Sequence, residues 1–257
     1  MGKKQDIIDL TSSILPEYGF KFLKGKCTGL KKTTFFENQI VLSVSDAQFF
    51  FLGCDIVLPN FGDLKKIALN NSKYSSDVII EVTTSHAYPV ELKEIEHEFY
   101  GSFYFDYGYP PNHLEAYENL LRNYAMPWFN RFQTYIDVCE VLRKNALSEK
   151  LWAKAWNNTD LTPGYYGTNF HVAFGVDAIL SRLNNEEGED LHHVYETYYQ
   201  KGMKNFLDRA LGNIKDEMDM RITGEMETIY NEMPQLIDRI NNITKAQWEE
   251  YRKMVSL

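Results

Sequence analysis

Residues 33–58, TTFFENQIVLSVSDAQFFFLGCDIVL, hold two apolar segments separated by a short polar loop at 45–48. In each segment the apolar residues occupy alternate positions, which is the pattern of a strand with one buried face. These residues are Ile40, Leu42 and Val44 in the first segment and Phe50, Leu52, Cys54, Ile56 and Leu58 in the second. Because a loop this short joins antiparallel neighbours, the stretch predicts a hairpin within a meander and not a βαβ unit.

A second strand signal is the stretch 99–109, FYGSFYFDYGY, which has seven aromatic residues in eleven positions. Its alternation places Tyr100 and Tyr104 on one face and most of the other rings on the opposite face. Pro110-Pro111 ends the stretch, and helical periodicity dominates after it. We therefore expect a central strand whose Tyr100 and Tyr104 face lies beneath helices, with a binding role if that face is exposed.

Further strand candidates at 20–30 and 78–82 complete the first part of the chain, and 63–68 reads as a short helix. The predicted fold class is α+β: a mainly antiparallel sheet with flanking helices, followed by an α-helical C-terminal region. A polar break near 145–150 suggests a sheet domain at 1–147 and a helical region at 148–257 packed on it. Residues 157–167, NNTDLTPGYYG, have no period and predict a loop.

The composition favours an acidic globular protein. The chain has 257 residues, 44% hydrophobic content and a net charge of −9, which opposes non-specific binding to nucleic acid and suits a basic protein partner. All eight arginines lie at or after Arg122, so the first half lacks the residue best suited to bidentate phosphate contacts. Neither a membrane-spanning run nor a signal peptide is evident, and no membrane partner is expected.

Cys27, Cys54 and Cys139 are an odd number of cysteines at unpatterned spacings. They predict a reducing, cytoplasmic location and argue against a disulfide framework or a structural zinc site. Neither His171 nor the pair His192-His193 has the spacing of a zinc motif. No phosphate-binding loop or nucleophile elbow is present either, so no cofactor is expected in the favoured reading.

One enzymatic alternative rests on Asp77 and the tripeptide Glu91-Leu92-Lys93. Nucleases of the restriction-endonuclease type use an Asp and an E-x-K on neighbouring strands, where the carboxylates hold Mg²⁺ and the Lys helps to activate water. Alternation would project Glu91 and Lys93 from the same face. The competing interpretation is a solvated strand edge.

The favoured functional hypothesis is a non-catalytic interaction protein of the immunity or inhibitor type, which blocks a basic protein partner. It follows from the negative charge, the absence of a coherent catalytic set and the many tyrosines, because tyrosine is enriched at interfaces. The candidate contact residues are Tyr100, Tyr104, Tyr165, Tyr166, Tyr198 and Tyr199. The alternative is that these tyrosines pack inside the protein.

The opening helix, the turn ending in Gly19-Phe20, the strands and the later Pro127-Trp128-Phe129 step resemble a bacterial domain family of unknown function. The resemblance covers about the first 145 residues and rests on residues that determine shape. It implies a fold with an initial helix, a strand meander and a late helix, and it implies no activity and no catalytic residues.

Overall fold

The computed structural model describes residues 8–9, 12–44, 50–69, 76–83, 118, 121–147, 164–185, 188–205, 208 and 231–256. The chain divides into two compact units. The sheet unit comprises Met1–Pro59 and Val78–Gln133 with Leu257, and the helical unit comprises Asn60–Asp77 and Thr134–Ser256. No helix within the described ranges combines the length and apolarity needed to cross a membrane.

The strands lie in the first third of the chain, and most of the helices follow them. The strands are β1 (Lys21–Leu23), β2 (Thr28–Lys32), β3 (Glu37–Val44), β4 (Phe50–Val57) and β5 (Val78–Thr83). The α-helices are α1 (Phe61–Leu69), α2 (Met126–Asn130), α3 (Tyr135–Leu147), α4 (Gly164–Asn184), α5 (Leu191–Val194) and α6 (Lys245–Val255). Residues 201–205 and 231–241 are also helical. Short 3₁₀ turns cover Leu15–Tyr18 and Lys24–Lys26, and π-helical turns cover Leu121–Ala125 and Tyr195–Gln200.

The sheet is a meander in which the strands lie side by side in chain order, β1-β2-β3-β4-β5. Every neighbouring pair is antiparallel. The α+β class predicted from the sequence is confirmed.

The hairpin predicted from residues 33–58 is confirmed as β3 and β4. Leu42 lies opposite Leu52, and Ile40 lies opposite Cys54. Ile40 and Ile56 are fully buried and Cys54 is nearly so. A fully buried aliphatic side chain contributes about 1.5–3 kcal/mol, so this face supplies a large part of the driving force for the sheet.

The single strand expected at 20–30 is wrong, because two short strands occupy this segment. The Lys24–Lys26 turn reverses the chain between β1 and β2, and Cys27 follows it with a positive φ of 49°. The Cys27 amide donates to the Lys24 carbonyl at 3.3 Å and closes the turn. Gly29 then lets β2 approach Leu15, whose Cδ1 would lie 2.8 Å from a Cβ at this position.

The residues that carry the family resemblance meet in the core of the sheet unit. Gly19 ends the 3₁₀ turn in the left-handed region at φ 80°, and Phe20 packs on Phe129 with 5.6 Å between ring centroids. Trp128 contacts Phe129 edge-on at 5.1 Å. Pro127 lies in the first turn of α2, where its missing N–H costs nothing. The resemblance to a family stays a prediction.

In the helical unit α4 is the central helix. Every residue from 174 to 183 is buried, including fully buried Phe174, Ile179 and Leu180. Helix α3 packs along it, so residues 134–147 belong to this unit and not to the sheet unit. The boundary of an independently folding domain at 147/148 stays a prediction.

Helix α4 begins earlier than the sequence predicts. Gly164–Asn184 is helical, so Tyr165 and Tyr166 lie in its first turn and not in the aperiodic loop expected at 157–167. Pro163 directly precedes this start, and proline favours the first positions of a helix. At the other end, Arg252 donates to the carbonyls of Arg182 and Leu183, each at 2.8 Å, and so satisfies the helix C-terminus.

Candidate protein-binding surface

A buried polar network lies at the centre of the helical unit, around Asp177 of α4. The Asp177 carboxylate accepts hydrogen bonds from Arg143 Nε at 2.8 Å and Arg143 Nη2 at 2.9 Å. It also accepts from the Tyr199 hydroxyl at 2.9 Å and the Ser181 hydroxyl at 3.2 Å. Asp177 is 0% exposed. Four hydrogen bonds therefore replace the water that this carboxylate loses on burial.

The ionisation of this network is fixed. Burial alone would lower the pKa of Arg143, but its hydrogen bonds to Asp177 and the Asp177 charge outweigh burial and raise it. Burial, with the Asp177 charge, raises the pKa of Tyr199 well above its ordinary value and raises that of the Cys139 thiol. Tyr199 and Cys139 are thus neutral beside the ion pair. The network connects α3, α4 and the π-helical turn that carries Tyr199.

The buried network reaches the protein surface through Arg143. Its Nη2 also contacts the Glu189 carboxylate at 2.5 Å, and the Glu189 side chain is 56% exposed. The Tyr198 ring lies over the guanidinium, with 5.6 Å from Arg143 Cζ to the ring centroid. One buried cation therefore holds both an exposed carboxylate and a half-buried tyrosine.

In the π-helical turn Tyr195–Gln200, the neighbouring residues Tyr198 and Tyr199 have different environments. Tyr195 and Tyr199 pack edge-on against Phe174, at 5.5 Å and 5.2 Å between centroids. Tyr198 stays half-buried at the surface. Single π-helical turns occur often at functional sites because they redirect side chains that a regular helix would align differently.

The turn that carries Glu189 is held in place from two sides. Arg182 Nη1 donates to the Glu189 carbonyl at 3.4 Å, and its Nη2 donates to Asn241 Oδ1 at 2.8 Å. Gly188 has φ +41°, and a Cβ there would lie 2.2 Å from Arg182 Nη1. Asp190 then caps α5 by accepting from the His192 amide at 2.9 Å. We call Glu189, Asp190 and Tyr198 the acidic tyrosine surface.

The structure places the predicted contact tyrosines in different environments. Tyr198 lies on the acidic tyrosine surface, whereas Tyr199 is fully buried and bonded to Asp177, so the packing alternative is correct for Tyr199. Tyr165 and Tyr166 are placed by their backbone in the first turn of α4. Tyr100 and Tyr104 lie outside the described residues.

The alternative nuclease site is placed only at Asp77, since Glu91 and Lys93 lie outside the described residues. Asp77 Oδ1 accepts a hydrogen bond from the Gly62 amide at 2.7 Å, in the first turn of α1. Within the ranges that the structure describes, no group of three or more His, Cys, Asp and Glu side chains is arranged to hold a metal. The nuclease hypothesis and its Mg²⁺ stay predictions.

The sequence interpretation missed Arg143, Asp177 and Glu189. A signal for the first two was present, because Arg143 follows Cys139 by four positions on an apolar stripe and Asp177 interrupts the run AFGVDAIL. A lone charge in an apolar helical pattern predicts a buried partner of opposite sign. Glu189 had no comparable signal among its acidic neighbours.

Comparisons with protein families, with curated proteins and with solved structures return no match for this chain.

Proposed function

We propose that this protein is a non-catalytic interaction module of the immunity or inhibitor type, which binds a basic protein partner through the acidic tyrosine surface. The observation that carries the proposal is the placement of Tyr198 and Glu189 together on Arg143, which is itself fixed by buried Asp177. A tyrosine and a carboxylate presented on a rigid base are suited to an arginine- or lysine-rich partner.

The physical support begins with pre-organisation. Association costs about 0.5–1.5 kcal/mol for each flexible side chain that becomes ordered. The Tyr198 ring already lies on Arg143, and the Glu189 carboxylate already has a fixed cation. Little side-chain entropy remains to be lost at these two residues, so more of the contact energy contributes to affinity.

Charge supports the same kind of partner. The chain carries a net charge of −9, and the acidic tyrosine surface presents Glu189 and Asp190 next to each other. A negative surface accelerates encounter with a positive partner and rejects acidic competitors. A basic partner that covers Tyr198 would desolvate the ring, which is how tyrosine hot spots contribute most of their energy.

The test begins with a photo-crosslinking amino acid at position 198 of the full chain, irradiation in extract of the source cells and identification of the adduct. The captured protein is then purified and titrated against the wild type, Tyr198→Ala, Tyr198→Phe and Glu189→Gln. Tyr198→Ala should weaken Kd at least tenfold, because it removes the ring. Tyr198→Phe keeps the ring and should bind within about threefold of the wild type.

Glu189→Gln should weaken binding and flatten its salt dependence, because it removes a charge but keeps an acceptor for Arg143. Glu249→Gln, an exposed site on α6, makes the same charge change and serves as the control. Binding unchanged by Tyr198→Ala, or a captured partner that is acidic, would exclude the proposed surface. A partner whose own activity is undiminished when saturated would exclude the inhibitor role and leave only the binding role.

A further inference from the structure

The hairpin of β1 and β2 is a basic surface on an acidic chain. Residues 18–36 contain five lysines and no aspartate or glutamate, whereas the whole chain has a net charge of −9. Four of these lysines are exposed, and we call them the basic hairpin: Lys21, Lys24, Lys26 and Lys32. A concentration of one charge sign against the net charge of the chain favours contact with an anionic surface.

Hydrogen bonds fix the backbone of the turn that carries Lys24 and Lys26. The Lys24 carbonyl accepts from the Cys27 amide at 3.3 Å, and the Lys26 carbonyl accepts from the Thr28 hydroxyl at 2.9 Å. The Cys27 carbonyl accepts from the Leu42 amide of β3 at 2.9 Å. The Lys24 side chain is 81% exposed. The turn is therefore ordered, and it presents its lysine side chains to solvent.

The fold uses little of the charge of the basic hairpin. The neighbouring Lys31 is the lysine with a structural role, because its Nζ donates to a main-chain carbonyl at 3.2 Å. Lys32 Nζ lies 3.5 Å from Glu37, and Lys24 Nζ lies 3.9 Å from Asp9. Exposed ion pairs of this kind contribute little to stability, so these lysines can bind another anionic group at a small cost.

The acidic tyrosine surface carries the complementary charge. The Glu189 side chain is 56% exposed and Asp190 is exposed as well. Arg143 holds the Glu189 carboxylate, and the His192 amide holds that of Asp190. A lysine-rich turn on an ordered hairpin and two ordered carboxylates have the complementary potentials that protein contacts use.

We propose that the basic hairpin of one copy binds the acidic tyrosine surface of a second copy of this chain. Two different surfaces meet, so the contact is heterologous and one copy can bind two others. The contact covers Tyr198, and a basic partner therefore has to displace the second copy. This regulatory role rests on the proposed function, whereas self-association itself does not.

The net charge determines the salt range in which the contact forms. Copies that carry a net charge of −9 repel each other, and this repulsion reaches about 30 Å at roughly 0.01 M salt but only about 8 Å at roughly 0.15 M. Ion pairs in direct contact are screened less at the higher of these concentrations. Near 1 M salt the screening length falls to about 3 Å, which weakens the ion pairs too. We therefore expect association to be strongest near physiological salt.

The test is sedimentation equilibrium of the full chain at increasing concentration in physiological salt. The average mass of the wild type should rise above that of the monomer. Lys24→Glu with Lys26→Glu should raise Kd for self-association by roughly tenfold or more, because it reverses the charge of the turn. Lys144→Glu with Lys253→Glu makes the same charge change at exposed positions of the helical unit and should associate like the wild type.

Mixing two variants tests whether these two surfaces meet. Glu189→Gln with Tyr198→Ala changes the acidic tyrosine surface and should also weaken self-association. Each of the two double variants keeps the surface that the other lacks. An equimolar mixture of this variant with Lys24→Glu, Lys26→Glu should therefore form a one-to-one dimer and nothing larger. Circular dichroism of each variant checks that its fold is retained.

A wild type that is monomeric at every concentration would overturn the proposal, and so would a mixture of the two variants that stays monomeric. A monomeric chain that binds phosphatidylserine vesicles through Lys24 and Lys26 would also overturn it, and would assign the basic hairpin to an anionic lipid surface. The proposed function is tested separately, by the effect of Tyr198→Ala on a captured basic partner.

Discussion

Asp177 and Arg143 form a buried ion pair whose effect on stability depends on keeping both partners. Asp177 is 0% exposed and the Arg143 side chain is 10% exposed. An ion pair in such a place contributes little net stability over apolar residues, because desolvation cancels most of the attraction. Removal of one partner is different, since the remaining charge stays buried without compensation.

We expect Arg143→Met to lower the free energy of unfolding by about 3–5 kcal/mol, measured by denaturant titration. Arg143→Met with Asp177→Asn should recover part of the loss, because Asn is uncharged and still accepts from Tyr199. Arg122→Ala, which breaks the exposed pair with Glu118, should leave the midpoint unchanged. A double variant no more stable than Arg143→Met would contradict this account of the network.

For individual residues, the sequence predicted local hydrogen bonds such as helix caps better than it predicted which side chains are buried. Thr244 with Gln247 and Thr134 with Asp137 have the spacing that predicts a helix start, and both predictions are confirmed: Thr244 forms a full capping box with Gln247, and Thr134 exchanges hydrogen bonds with Asp137. Capping depends on residues three positions apart, so a local pattern reveals it. The full burial of Tyr199 and the partial burial of Tyr198 depend on α3 and α4, which lie far from these residues in the sequence and so leave no local pattern.

Among the elements, the β3–β4 hairpin was predictable because alternation and a short loop determine it together. The β1–β2 turn was not predictable, because the chain reverses within a segment that has no turn signal strong enough to divide it. The early start of α4 was not predictable either, because this helix begins within a polar sequence that has no apolar period. Helix α1 shows a further limit. The sequence places its start at Asp63, but Asp63 lies within the helix and pairs with Lys66, whereas Asp77 accepts a hydrogen bond from the first turn over a separation of 15 residues.

Asp77→Ala should therefore destabilise the protein by about 1 kcal/mol, the usual cost of a lost N-terminal cap. Asp77→Asn should cost much less, because its carbonyl still accepts from Gly62. Thermal unfolding of the two variants checks this, and equal losses would contradict the capping role.

The nuclease hypothesis makes a separate prediction: Mg²⁺-dependent DNA cleavage by the wild type that Asp77→Asn abolishes.

For the molecule as a whole, buried thiols couple stability to pH. Burial raises the pKa of both Cys54 and Cys139 above the ordinary thiol value of 9.0. The unfolded chain therefore releases these protons first, and stability that is fully present below pH 9 is lost as the pH rises above it. Lys65 acts with the opposite sign, because its lowered pKa disfavours the folded state below about pH 8 and this cost disappears toward pH 10.5.

Between pH 9 and 10, each thiol should remove about 1 kcal/mol from the free energy of unfolding. Urea titrations across this range should give a falling curve for the wild type, whereas for Cys54→Ala with Cys139→Ala the curve should no longer fall, because the Lys65 contribution of opposite sign remains. Lys65→Met should instead stabilise the protein near neutral pH by about 3 kcal/mol, from the change between 10.5 and about 8. A double cysteine variant with an unchanged slope would exclude the thiols as the cause.

The assignment of residues 60–77 to the helical unit has a consequence for biosynthesis. Asn60 Nδ2 donates to the Met254 carbonyl at 2.8 Å across 194 positions of chain. At about 5–20 residues per second, roughly 10–40 s of translation separate the emergence of these two partners. The meander can assemble while the ribosome is still working, but the contact between Asn60 and Met254, and with it the complete helical unit, has to wait until α6 has been made.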